Sequence, residues 1–124
     1  MANNSTGAAY HFGQMGSIHV AGTTTVTANE VVSDVLASGI KAVGKNAVFV
    51  AITFLEDTVF DSGVTGLVAE TKELWPDSTG AGKSIDANAG VAVDGETFPK
   101  GVTIYGRWTG FELDSGRVIA YIGY

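Results

Sequence analysis

The chain has no cysteine and little charge. The absence of cysteine excludes disulfides, zinc–thiolate sites and a cysteine nucleophile, so we expect stability to come from packing and assembly. Only 16% of the 124 residues are charged, whereas soluble domains average about a quarter. The net charge is −6, and the seven Lys and Arg residues are scattered, although nucleic-acid binding needs them clustered. We therefore expect no nucleic-acid partner.

The sequence also lacks a long hydrophobic run. Its longest apolar stretch, Ala47 to Leu55, has about half of the roughly 18 residues that a membrane helix requires and is followed by Glu56. This length favours a buried strand and predicts no membrane partner. Residues 1–7 have neither a basic flank nor an apolar segment, which predicts no secretory signal and synthesis in the host cytoplasm.

Apolar residues, in contrast, are abundant. They make up 45% of the chain. Monomeric proteins rarely expose large apolar patches, so the excess is most economically placed at a subunit interface. The composition therefore predicts a homo-oligomer.

Short β-branched segments separated by turn residues run through most of the chain. This pattern predicts an all-β fold, a small β-sandwich or barrel of jelly-roll-like type. We expect one domain over residues 17–124, preceded by an extended, flexible N-terminal arm at residues 1–16 that is rich in Asn, Ser and Gly. Residues 17–27 read as a strand or a hairpin. Residues 29–40 suit a short helix capped by Asn29 or a strand, and the pattern leaves both open.

The segment Ala47 to Leu55 is the predicted core strand. Its uninterrupted apolar character indicates burial on both faces, as in a sandwich interior or an interface. Strict alternation places two sets of side chains on opposite faces: Val48, Val50, Ile52 and Phe54 on one, and Phe49, Ala51 and Leu55 on the other.

The C-terminal part, from Phe98 to Tyr124, is predicted to form a β-hairpin. Its first strand begins after a Pro-Lys-Gly turn, and a second turn at residues 114–116 returns the chain. Alternation gives the two faces different roles. The predicted core residues are Val102, Ile104 and Trp108, and the predicted interface residues are Tyr105, Arg107, Tyr121 and Tyr124.

No motif supports catalysis. Residues 79–84 resemble the end of a phosphate-binding loop, but Asp77 stands at the leading glycine position and no buried strand precedes it. His11 and His19 have no metal-binding spacing, and no serine lies in a G-x-S-x-G elbow. We therefore predict that the protein is not an enzyme, with no catalytic residues, cofactor or metal ligands. Trp75, beside a proline in a polar loop, is a candidate surface binding residue.

Two regions resemble small virion-associated proteins of tailed bacteriophages. One is the C-terminal sequence FPKGVTIYGRWT at residues 98–109, followed by LDSGRVIAY at 113–121. The other is AITFLEDTVF at residues 51–60, which is similar to an A-I-x-x-L-E-D-T-x-F segment of such proteins. Together they cover about two fifths of the chain. The resemblance implies a structural part of a virion.

Resemblance and composition together lead to an expected function. The protein is predicted to be a capsid decoration or cement protein that binds the major capsid protein on the exterior of a phage head as a homo-oligomer, most simply a homotrimer. The N-terminal arm would carry the attachment through Tyr10, His11 and Phe12. Two alternatives stay open: a tail, knob or spike component, and a carbohydrate-binding or adhesin module that uses Trp75 and exposed tyrosines.

Overall fold

The computed structural model describes residues 16–31, 47–63, 65–70, 89, 91–93 and 95–123. Nine strands lie within these residues, and they are named here in chain order: β1 Ser17–Val20, β2 Val26–Thr27, β3 Val48–Phe54, β4 Thr58–Phe60, β5 Leu67–Ala69, β6 Thr97–Phe98, β7 Thr103–Phe111, β8 Leu113–Ser115 and β9 Val118–Gly123. The fold is all-β, as predicted. The predicted N-terminal arm, apart from Gly16, lies outside the described residues. Residues 32–46, which include most of the segment 29–40, also lie outside them.

The strands form two antiparallel sheets that curl into a half-barrel. The larger sheet has the order β1-β9-β3-β7-β2, and β5 also pairs with β7. The smaller sheet has the order β6-β4-β8. Because only Glu112 separates β7 from β8, one continuous stretch of chain passes from the larger sheet to the smaller one.

Phenylalanine side chains pack between the two sheets. Phe54 of the larger sheet stacks on Phe98 of the smaller, with ring centroids 4.8 Å apart. Phe60 contacts the same pair edge-on and lies 6.1 Å from Phe111, which in turn lies 5.1 Å from Phe49. Such edge-to-face pairs add to the stabilisation that burial itself provides. This chain of rings is the centre of the core.

The predicted C-terminal hairpin is wrong. Its two strands are present as β7 and β9, but β3 lies between them and pairs with both. The turn residue Gly116 has φ of +100°, yet the three residues before it form β8, which pairs with β4 in the other sheet. Alternation sets which side chains share a face but not which strand lies alongside, so local pattern could not exclude the insertion.

A β-bulge also changes the predicted faces of β3. The register with both neighbouring strands shifts between Phe49 and Ala51. Against β9, Val50 is an extra residue in β3, so Phe49 points into the same core as Ile52 and Phe54 while Ala51 lies on the opposite face. Strict alternation had placed Phe49 with Ala51, and that assignment is wrong.

The core predictions for β7 are partly confirmed. Trp108 is 2% exposed and Ile104 packs against the core, both as predicted. Val102 is 39% exposed, which contradicts its predicted core position. It lies before β7, where its N–H donates to Pro99 O and its carbonyl accepts from Phe54 N, so its backbone rather than its side chain closes this end of the sheet.

The N-terminal described segment is neither a single strand nor a hairpin. β1 pairs with β9 and β2 pairs with β7, so these two strands do not pair with each other. Residues 28–31 are helical. Thr27 Oγ1 accepts a hydrogen bond from Glu30 N at 3.3 Å, which makes Thr27 the cap rather than Asn29. The Asn29 side chain instead accepts from Ala47 N at 2.9 Å and ties this turn to the start of β3.

Candidate functional site

The face of the larger sheet that points away from the phenylalanine core is the candidate site. The pairing register of the strands shows which residues lie on this face. Across four neighbouring strands, Tyr105, Ala51, Tyr121 and Ser17 lie in one row on this side. A second row contains Thr103, Thr53, Ile119 and His19. We call these eight residues the outer face.

Two tyrosines flank a small residue in the centre of the outer face. Tyr105 on β7 and Tyr121 on β9 both lie opposite Ala51 of β3. Because neighbouring strands are about 4.8 Å apart, the tyrosine backbones are separated by roughly 10 Å. Tyr105 is 64% exposed and Tyr121 is half-buried, whereas Ala51 is buried. The result is an aromatic surface around a small residue.

The outer face carries no carboxylate, amine or guanidinium group. In the second row, the hydroxyl oxygens of Thr53 and Thr103 are 2.8 Å apart and form a hydrogen bond, which partly satisfies both groups. Ile119 beside them is half-buried, and His19 at the sheet edge is exposed. Protein interfaces are depleted in charged residues at their centres and enriched in tyrosine, so this composition suits protein contact.

Arg107, a predicted interface residue, is engaged within the chain. Its Nε donates to Glu70 Oε1 at 2.7 Å and its Nη2 to Glu70 Oε2 at 3.0 Å. The hydrogen bond from Arg107 lowers the pKa of Glu70, partial burial opposes this shift, and the positive charge of Arg107 adds to it. The same pairing raises the pKa of Arg107. Arg107 therefore borders the outer face as half of a compensated ion pair.

The structure shows where several other candidate residues lie. The aromatic residues Trp108 and Phe111 of β7 are buried in the core, so neither contributes to the outer face. Tyr105 and Tyr121 share one row of the outer face, and their role as interface residues stays a prediction. The remaining predicted residues, together with the loop at 79–84, lie outside the described residues: Tyr10, His11, Phe12, Trp75 and Tyr124.

Sequence reasoning missed Ala51, Thr53 and Ile119 as members of this surface. The hydrophobic character of β3 indicated burial on both faces, and the bulge at Phe49/Ala51 moved the expected faces. The cross-strand proximity of Thr53 and Thr103 has no local signal, because the two residues are fifty positions apart in the chain. Only the sheet order brings them together.

Acidic residues in the described part of the chain form structural ties. Glu112, between β7 and β8, accepts hydrogen bonds from the hydroxyls of Thr25 and Thr65. Arg117 Nε pairs with Glu56 at 3.1 Å. No group of three or more His, Cys, Asp or Glu side chains placed to hold a metal ion occurs among the described residues. Within the same residues, no helix is long and apolar enough to cross a membrane.

Comparison of the chain with protein families, curated proteins and solved structures finds no match.

Proposed function

We propose that the protein is a non-enzymatic structural protein of a tailed-phage virion, a decoration or cement protein that binds the major capsid protein on the outside of the head. The observation that carries the protein-binding part is the uncharged outer face, with Tyr105 64% exposed at one end of its first row. The virion setting is supported by the resemblance of residues 51–60, 98–109 and 113–121.

Binding through this face gives a simple mechanism. A protein that binds the assembled shell, but not its dissociated subunits, stabilises the shell by mass action. The aromatic rings provide contact area at low cost in side-chain entropy, because tyrosine has only two side-chain torsions to fix. The net charge of −6 favours the exterior over the DNA-facing interior, where phosphate would repel it. Attachment by Tyr10, His11 and Phe12 belongs to the same proposal.

The proposal is tested on particles. Mass spectrometry of virions purified from the phage that encodes the chain is expected to detect it, and cryo-electron microscopy is expected to place it on the head exterior. Heads from a phage with the gene deleted should then bind added protein saturably in co-sedimentation. Absence from the virion, or a position on the tail, would contradict the decoration role.

Substitutions test whether head binding depends on the outer face or on non-specific contact by exposed apolar residues. The double substitution Tyr105→Ser and Tyr121→Ser should weaken head binding by about tenfold or more, because each residue supplies aromatic contact area. Val91→Ser is the matched control, since Val91 is 73% exposed and is not one of the eight residues of the outer face. Deleting residues 2–12 is expected to abolish head binding.

Glycan binding that is lost in Trp75→Ala, without any head binding, would favour the carbohydrate-binding alternative.

A further inference from the structure

β1 is an edge strand whose second side has no partner among the described strands. It pairs with β9 alone, in unbroken register from Ser17 opposite Tyr121 to Val20 opposite Val118. Proteins normally protect such edges with lysine, proline, a bulge or an inward-pointing charge. The sequence Ser-Ile-His-Val contains none of these devices. Within the described ranges no strand closes this edge, so it can pair with another strand.

The backbone groups that face outward can be assigned from one hydrogen bond. Ile122 N donates to Gly16 O at 2.8 Å, so the pair Gly16 and Ile122 is hydrogen-bonded. Bonded and non-bonded pairs alternate along an antiparallel ladder. Ile18 and Val20 therefore direct their N–H and C=O groups towards β9. Ser17 and His19 direct theirs away from it, and both residues are exposed.

We propose that this edge binds β1 of a second copy of the chain, in an antiparallel pair with Ile18 opposite Ile18. In that register, Ser17 of one copy lies opposite His19 of the other, and each such pair exchanges N–H···O bonds. The two Ile18 side chains meet on the core side, where each is now only partly buried. Ser17 and His19 meet on the outer side, where a hydroxyl and an imidazole can hydrogen-bond.

As a partner for β1, the same strand of a second copy fits better than any other edge strand of the described chain. Directly opposite residues in an antiparallel pair share a face, so a two-fold axis perpendicular to the sheet joins core side to core side. β2 and β6 have two residues each, and β5 and β8 have three each, so all four offer fewer backbone groups than the four residues of β1. Self-pairing of β1 uses only groups that are already in strand conformation.

The pair would also place both outer faces on the same side of one continuous sheet. This consequence rests on the proposed function: two linked binding faces engage a capsid with greater avidity than either alone. Self-association in solution does not depend on it, so the two proposals can fail separately.

His19→Pro is the decisive variant. Proline removes the outward N–H of His19, which β9 does not use, and is tolerated on an edge strand. In sedimentation velocity, the wild-type mass should rise from one chain to two as the concentration increases through the micromolar range, and not to the three chains of the homotrimer that the sequence predicts. His19→Pro should raise the dimer dissociation constant about tenfold or more, with an unchanged far-UV spectrum. His19→Ala, the matched control, keeps the N–H and should still dimerise.

Hydrogen exchange provides a test that needs no variant. The amides of Ser17 and His19 should exchange quickly in dilute wild-type protein and slowly at concentrations where the mass has doubled, whereas the Ile18 amide, bonded to β9, should be protected at both. The proposal is wrong if the wild type stays monomeric. It is also wrong if an oligomer forms but the Ser17 and His19 amides still exchange quickly and His19→Pro has no effect. A monomer that binds heads would overturn this inference alone, and a dimer that does not bind them would overturn the proposed function alone.

Discussion

Gly116 is the residue on which the corner between β8 and β9 depends. Its φ is +100°, in the region that favours glycine. A Cβ at this position would lie 2.3 Å from Thr58 Oγ1 and 2.7 Å from Asp57 O. Thr58 cannot move easily, because it is fully buried and its hydroxyl donates to Glu56 O at 2.8 Å. Conformation and close packing therefore both require glycine here.

We predict that Gly116→Ala destabilises the protein by about 3 kcal/mol, since backbone strain adds to a steric overlap. The free energy of unfolding in urea measures the loss. Gly95→Ala is the control, because Gly95 has φ of +80° but no atom within 4 Å of the added Cβ. Strain alone should cost it about 1 kcal/mol. Equal losses for the two variants would show that the contact with Thr58 is unimportant.

At the scale of elements, the Glu70–Arg107 pair fastens the end of β5 to β7. Glu70 N also donates to Arg107 O at 2.9 Å, so the backbone and the side chains join the same two residues. Arg107 holds the pKa of Glu70 below the ordinary value of 4.5. The folded state therefore binds fewer protons than the unfolded state near that pH. This contribution to stability is present above about pH 4.5 and is lost as the pH falls through the lowered pKa.

Glu70→Gln should accordingly reduce the difference between the free energies of unfolding at pH 7 and pH 3. The effect is expected to be below about 1 kcal/mol, because about a third of each side chain is exposed and solvent screens the pair. Urea titrations at the two pH values provide the measurement. Arg107→Gln should give the same reduction, and the double variant should add nothing further. An unchanged difference in Glu70→Gln would contradict the prediction.

For the whole molecule, the contacts between the two sheets decide stability. Phe60 of β4 touches the rings of Phe54, Phe98 and Phe111, so one side chain joins both sheets. β7 and β8 also join them through continuous backbone. We therefore expect the sheets to unfold together in a single transition, as small domains generally do.

Phe60→Ala should cost about 4 kcal/mol, because it removes a fully buried ring and leaves a cavity between the sheets. Val59→Ala, on the half-buried side of the same strand, should cost about 1 kcal/mol. Urea unfolding followed by far-UV circular dichroism and by tryptophan fluorescence would measure both. A loss in Phe60→Ala no larger than that in Val59→Ala would mean that the phenylalanine cluster does not hold the sheets together.

The sequence by itself determined the all-β class, the core strand, the two long C-terminal strands and the burial of Trp108. These features follow from local composition and alternation, which act over a few residues. The tyrosines of the outer face were also identifiable, because Tyr105 and Tyr121 alternate along their strands with the apolar residues Ile104 and Ile122.

Only the tertiary structure decided which strands are neighbours. β3 lies between β7 and β9, and a bulge directs Phe49 into the core. Both features bring together residues far apart in the chain, because packing of the phenylalanine cluster stabilises such contacts. The same sheet order placed Ala51 between two tyrosines and left β1 at an edge. Strand neighbours are set by the closure of the whole core, and that is a property that no local pattern contains.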